Sequence, residues 1–330
     1  MLQGETIILP RFRLSDIKSA TNDFDETYRL GLYTNGTVYK AELDHSGNND
    51  LLLTKGKNNS EPCKKHRSVA IKRFTGGNTM QVRQESFAEL EMLTSYKQSE
   101  LVSLLGFCDE GAEMILVYDY YPSNKNLGDY LQSDHSVHNL TWTHRLHMCL
   151  EIARGVKYLH TKTAKHSNIN SSNIILDKYC HAKLAYFGIS KLHSANQEVV
   201  GTKVYEDPEY KTTGKLETKS DIYSFGVVLF EILCGKLAYD PVHIKVNDKG
   251  LAPIARQCFK DGTIERLIDP KLKEENDQDN FSSVRGPNQD SLETFSKIAY
   301  QCLGEAAKRP SIEIVIKELE RALDFHVSQY

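Results

Sequence analysis

The chain of 330 residues lacks several features, and each absence argues against a class of function. No apolar run approaches the ~18 residues that cross a bilayer as a helix. The start, Met1-Leu2-Gln3-Gly4-Glu5, has neither the charged nor the apolar region of a signal peptide, and Leu2 does not fit the Met-Gly start of N-myristoylation. A net charge of -3 leaves no basic footprint for nucleic acid. Cysteine is odd in number: seven, at 63, 108, 149, 180, 234, 258 and 302. With no Cys-x-x-Cys and no Cys/His cluster at metal spacing, these read as reduced, mostly buried thiols of a cytosolic protein. There is no internal repeat and no long low-complexity tract. What is present is apolar material, 40% of residues, in a chain whose length suggests two domains.

Along the chain β-type runs come first and helical patterning follows. Residues 1–24 form a lead-in, with Ser15 as N-cap of a short helix through Ala20. From 25 to 119 the pattern predicts β-type runs at Tyr39–Leu43 and Val69–Phe74, a helix over Gln84–Tyr96, and strands around Leu101–Phe107 and Met114–Tyr118. Residues 45–68, rich in Asn, Lys, Ser and Gly, are too long for a hairpin and read as a flexible insert. From 120 to 330 the chain is mainly helical, over Leu127–Gln132, Thr143–Thr161, Ser220–Cys234, Leu251–Asp261, Ser291–Leu303 and Ile312–Val327. Residues 274–289 read as a polar surface loop.

Short motifs lie on this frame in a fixed order. Gly31, Tyr33 and Gly36 sit in Leu30-Gly31-Leu32-Tyr33-Thr34-Asn35-Gly36-Thr37-Val38, ahead of Val69-Ala70-Ile71-Lys72. Next come His166-Ser167-Asn168-Ile169-Asn170-Ser171-Ser172-Asn173, Ala185-Tyr186-Phe187-Gly188, Gly201-Thr202, Asp207-Pro208-Glu209, Ser220-Asp221-Ile222-Tyr223-Ser224-Phe225-Gly226 and Arg309-Pro310. In order and spacing this set resembles a protein kinase domain. Phe12-x-x-x-x-Ile17-x-x-Ala20-Thr21-Asn22-x-Phe24, Leu101-Val102-Ser103-Leu104-Leu105-Gly106-Phe107-Cys108, Trp142-x-x-Arg145-Leu146 and Asp207-Pro208-Glu209-Tyr210 narrow it. These are similar to plant receptor-like kinases of the Pelle-related group, nearest to the FERONIA (malectin-like receptor kinase) type, from about Phe12 to Phe325. The fold implied is α+β and bilobal: a small β-rich lobe over 25–119, a larger helical lobe over 120–330, and an activation segment over 186–209.

The resemblance assigns a task to each position, and several residues are unsuited to theirs. Lys72 would hold nucleotide phosphates with Glu89 fixing its orientation, and both are present. Val38, Ala70 and Ile175 match positions around adenine, while Asp119 and Tyr121 fall in the hinge after Tyr118 at the back-pocket position. Asn168 stands where the family has its catalytic Asp, and Asn170 where it has a Lys. Of the two magnesium-holding positions Asn173 remains, but the other is Tyr186, a neutral phenol and poor magnesium ligand. A missing base costs ~10²–10⁴ in rate, and missing metal stabilisation costs several kcal/mol more. At the second loop glycine stands Tyr33, which either points to solvent or caps the nucleotide site. Ser167 replaces the Arg that pairs with an activation-loop phosphate, and Ser190, Ser194, Thr202 and Tyr205 are the segment's candidate phosphorylation sites.

Residues of architecture are kept. His166, Phe187 and Leu93 match an apolar spine, Glu209 and Arg309 a buried ion pair, and Asp221 the anchor of the catalytic loop. The resemblance therefore implies a pseudokinase: weak ATP binding at most, no normal magnesium site, and a role as scaffold, decoy or allosteric partner of an active receptor-like kinase or immune receptor. Two alternatives stay open, a weak or atypical serine/threonine kinase and an ATP-sensing module without transfer. The expected location is cytoplasmic, with no direct membrane anchor, so that recruitment to the plasma membrane would come through a partner; a fragment of a longer receptor is the open alternative.

Overall fold

The structure, a computed structural model, describes residues 9–33, 36–44, 66–76, 79–121, 125–132, 140–162, 164–185, 202–273 and 286–328. It divides into two compact units. The first takes the described residues up to Lys97 together with Val102–Tyr121. The second takes Gln98–Leu101 and the described residues after Tyr121. The α+β fold class holds, with a β-sheet N-terminal region and a helical C-terminal region.

In the first unit β1 (Arg29–Tyr33), β2 (Gly36–Asp44), β3 (His66–Phe74), β4 (Leu104–Cys108) and β5 (Ile115–Asp119) form one antiparallel sheet in the order β1-β2-β3-β5-β4. Strand β3 starts at His66 and pairs with β2 as far as Asp44, so residues 66–68, expected in the flexible insert, are strand. Residues 45–65 lie outside the described residues. Alternation along the strands sends Tyr39, Ala41, Leu43, Val69 and Ile71 into one core. Residues 9–24 belong to that core as well. α1 (Leu14–Ala20) buries Ile17, and Phe24 packs its ring 5.5 Å from that of Tyr39.

The N-cap expected at Ser15 is not there. The cap position is Arg13, the Leu14 amide donates instead to the Glu110 carboxylate at 3.0 Å, and the Ser15 hydroxyl donates to Asp16. Just before α1 the chain lies along β4, with Phe12 N donating to Phe107 O at 2.9 Å and Phe107 N to Pro10 O at 3.2 Å. Gly106 is obligatory for this approach, since a Cβ there would lie 2.3 Å from the Pro10 carbonyl. The sheet is backed by α2 (Met80–Ser95), which starts four residues earlier than expected because the Thr79 hydroxyl accepts from Val82 N at 3.3 Å.

The second unit is organised around α6 (Thr218–Cys234), buried along almost its whole length. A helix apolar on all sides must be enclosed. Packed against it are α4 (Trp142–Thr161), α8 (Leu251–Lys260) and α9 (Gln289–Cys302), and α10 (Ile312–Val327) packs in turn on α4 and α9. Trp142 is fully buried, its indole N–H donating to Ser291 at 2.8 Å and its ring meeting Phe295 edge-on. Arg145 is buried too, bonded to the Leu140 and Ile232 carbonyls and paired with Asp269 at 2.5 Å. Strands β6 (Lys125–Asn126), β7 (Ile174–Leu176) and β8 (Ala182–Leu184) form a small second sheet next to α3 (Leu127–Gln132). The remaining helices are α5 (Pro208–Thr213) and α7 (Pro241–Val246). Of the loop expected over 274–289, residues 274–285 lie outside the described residues and Gln289 already begins α9.

Candidate active site

In the first unit the centre is Lys72. Strand β3 holds it between Val38 on β2 and Leu116 on β5, and α2 brings Glu89 against it, Nζ to Oε2 2.7 Å, with both side chains almost wholly buried. The other Glu89 oxygen accepts from the Tyr118 hydroxyl at 2.5 Å. The Lys72 ammonium also lies 4.6 Å from the centre of the Phe74 ring. Two donors on one buried carboxylate lock its rotamer, and with it the lysine. Val38 and Ala70 are buried.

Gly31 lies in β1 opposite Val38, and Tyr33 ends β1 opposite Gly36. At Gly36 a Cβ would come within 2.3 Å of the Arg73 carbonyl, which explains that glycine by packing. Asp119, the expected hinge residue, has its carboxylate engaged by Arg67 at 2.8 Å and 3.2 Å. Burial raises the Tyr121 phenol, partly offset by its hydrogen bonds with Ser103.

The second unit holds the loop 166–173. Asp221 on α6 accepts from His166 N at 2.9 Å, Ser167 N at 2.8 Å and the His160 ring at 3.0 Å. This clamp holds Ser167 at a φ of 64°, a region L side chains rarely adopt. Within the loop the asparagines bond to one another. The Asn170 amide nitrogen donates to Asn168 O at 3.0 Å and Asn168 Oδ1 at 3.1 Å, and Asn173 donates to Asn168 O at 2.9 Å. Asn170 Oδ1 accepts from Ser172 N at 3.0 Å. Ile175 follows, buried on β7. There is no carboxylate from His166 to Asn173. Tyr186, with Phe187, Gly188, Ser190 and Ser194, lies outside the described residues.

Two expectations need correction. The buried partner of Arg309 is Asp207, which meets both guanidinium nitrogens at 2.6 and 2.7 Å. Glu209 reaches Arg309 only at 3.8 Å, is half-exposed, and accepts from Ala306 N instead. Asp207 is the N-cap of α5, its carboxylate also accepting from Glu209 N, with Pro208 at the first helical position; the Asp207 side chain is buried and that of Glu209 is not. Burial works to raise the Asp207 carboxyl, but Arg309 and the Glu209 amide hold it below the usual range.

The second concerns Tyr205. Offered as a phosphorylation candidate, it is buried, its hydroxyl 2.5 Å from Glu231 Oε1 and 2.9 Å from the Ser171 hydroxyl. Glu231 Oε1 also accepts from Ala238 N at 2.7 Å. Burial pushes the Glu231 carboxyl up to about 8 against these hydrogen bonds, and it raises the Tyr205 phenol well above its ordinary value. Sequence reasoning missed Glu231, because a carboxylate inside an apolar helix looks like any helical Glu until its neighbours are known.

The chain matches the family described as protein tyrosine and serine/threonine kinase over residues 26–257. It belongs to that kinase family. The kinase domain is 38% identical over 325 residues to a probable receptor-like protein kinase of Arabidopsis thaliana, covering 95% of this chain and 35% of that protein. To the receptor-like protein kinase FERONIA of the same plant it is 37% identical, covering 96% of this chain and 33% of that one. To HERK 1, another receptor-like protein kinase of that plant, it is 37% identical, covering 95% and 35%. The chain thus spans about a third of the length of the curated relatives it matches. Among the described residues no helix is long and apolar enough to cross a membrane.

Proposed function

We propose that this kinase domain works as a pseudokinase, a cytoplasmic signalling module that presents a folded kinase surface to an active receptor-like kinase or immune receptor without transferring phosphate itself. The observation that carries this reading is the self-bonded amide cluster of Asn168, Asn170 and Asn173. An amide oxygen is a very weak base, so Asn168 accepts no hydroxyl proton. Asn170 brings no positive charge to a transferred phosphate. Magnesium is usually held through one or two carboxylates together with phosphate oxygens and water, whereas this loop offers only neutral amide oxygens, the Asn170 and Asn173 nitrogens both donating to the Asn168 carbonyl. With Tyr186 at the other ligand position, the residues do not fit the metal.

The test is radiolabel transfer from ATP under Mg²⁺ and under Mn²⁺, with Lys72→Met as control. No signal above the control is expected; metal-dependent autophosphorylation that the substitution abolishes would instead establish a weak serine/threonine kinase.

A second reading rests on the intact Lys72–Glu89–Tyr118 group. These residues would still orient a lysine toward nucleotide phosphates, making the domain an ATP-sensing module. A thermal-shift titration with ATP in EDTA supports it if melting rises with nucleotide, and a flat curve removes it.

A further inference from the structure

Helix α2 has two unlike faces. Glu85, Ser86, Glu89 and Leu93 point inward and are buried. The opposite face carries Met80, 78% exposed, and Phe87, 43% exposed, and forms an open groove with Arg83, Gln84, Ala88 and Glu91. Residues 80, 84, 87 and 91 are spaced by four, three and four, which keeps them in one stripe along a helix. This is the spacing of a seam that packs against a second helix.

The charges that flank Phe87 are complementary to themselves. Arg83 and Glu91 stand four residues to either side of Phe87, about 6 Å along the axis and about 40° around it in opposite senses. An antiparallel copy related by a two-fold axis beside Phe87 sets Arg83 of each copy level with Glu91 of the other. Phe87 then meets Phe87. Arg83 is free to turn, since its contact with the Gly111 carbonyl is 3.5 Å long and exposed.

We propose that this face of α2 is a self-association surface for a second copy of the same chain, joined as an antiparallel, isologous helix pair with two Arg83–Glu91 bridges around a Phe87 contact. One helix face buries an area at the low end for specific interfaces, below about 1,200 Å², so the dimer is weak. It bears on the site because α2 also carries Glu89, whose grip on Lys72 would be steadied by the pairing.

Sedimentation equilibrium of the whole chain at a series of concentrations tests this. Reversible dimerisation is expected, with Phe87→Glu monomeric and Arg83→Glu or Glu91→Arg each weakening association about tenfold or more. All three changes are at surface positions, and melting curves confirm that the variants fold. The decisive arm mixes the two charge variants: Arg83→Glu then carries acid at both positions and Glu91→Arg base at both, so the mixture should form a heterodimer that neither forms alone. A wild-type chain that stays monomeric at every concentration overturns the proposal, as does a dimer indifferent to Phe87→Glu or a mixture that fails to associate. An α2 face that binds only another protein would appear as the first of these.

Discussion

Arg309 is gripped by Asp207 through two buried hydrogen bonds of 2.6 and 2.7 Å, with Glu209 left at 3.8 Å on the solvent side. Removing Asp207 strands a guanidinium in the interior, whereas removing Glu209 loses one long contact and one amide bond. Asp207→Ala should cost ~3–5 kcal/mol, and Glu209→Ala about 1 kcal/mol or less. Thermal melts of the two variants decide; equal losses would mean the half-exposed carboxylate is as important as the buried one. Because Asp207 titrates below its usual range in the folded chain, its contribution is present above the unfolded carboxylate pKa and fades as pH falls through the folded one.

Glu231 gives the opposite sign. Its folded carboxyl is pushed up to about 8, far above an unfolded Glu. Between the unfolded value and about 8 the folded state therefore holds the extra proton, and stability falls as pH rises through that window, by at most about 1.4 kcal/mol per unit. Glu231→Gln keeps the shape and an acceptor for Tyr205 and Ala238 while removing the titration. Chemical denaturation from pH 5 to 9 should show this slope in the parent and a flatter line in Glu231→Gln; parallel curves would place the group's proton elsewhere.

Lys72, Glu89 and Tyr118 form one unit through a single carboxylate. Lys72→Met leaves Glu89 with one donor and should destabilise by ~3–5 kcal/mol, while Tyr118→Phe removes a hydrogen bond to a charged group, ~1.5–3 kcal/mol. The double variant should lose less than the sum, since each change already disturbs the same carboxylate. Strict additivity in denaturant midpoints would show that the three do not act together.

The α+β class, the Lys72–Glu89 pair and the Asp221 anchor were legible in the sequence, because a motif places them by order and spacing. Helix cores such as Leu127–Gln132 and Ile312–Val327 were legible from periodicity and coincide with the structure. What was not legible depends on direction. Asp207 and Glu209 are both acidic and two apart, and only the folded chain shows which of them Arg309 grips. Tyr205 looked like an accessible hydroxyl until Glu231 and Ser171 enclosed it. Ser15 looked like a cap, but a carboxylate from residue 110 took the amide.

The last prediction concerns repair of the amide loop. In the triple variant Asn168→Asp, Asn170→Lys and Tyr186→Asp, the Asn170 donors that now occupy Asn168 are replaced by an ammonium, and two carboxylates become available for a base and for magnesium. Turnover should still lag, because Ser167 offers no charge to order a phosphorylated segment and Tyr33 remains where the family has a glycine that lets the backbone approach phosphates. Mg²⁺-dependent ATP binding should therefore appear before activity, and Tyr33→Gly added to the triple variant should strengthen it further. Calorimetry of parent, triple and quadruple variants with ATP, with and without Mg²⁺, makes the comparison. If the triple variant binds Mg-ATP no better than the parent, the missing carboxylate at 186 is not the principal barrier to metal.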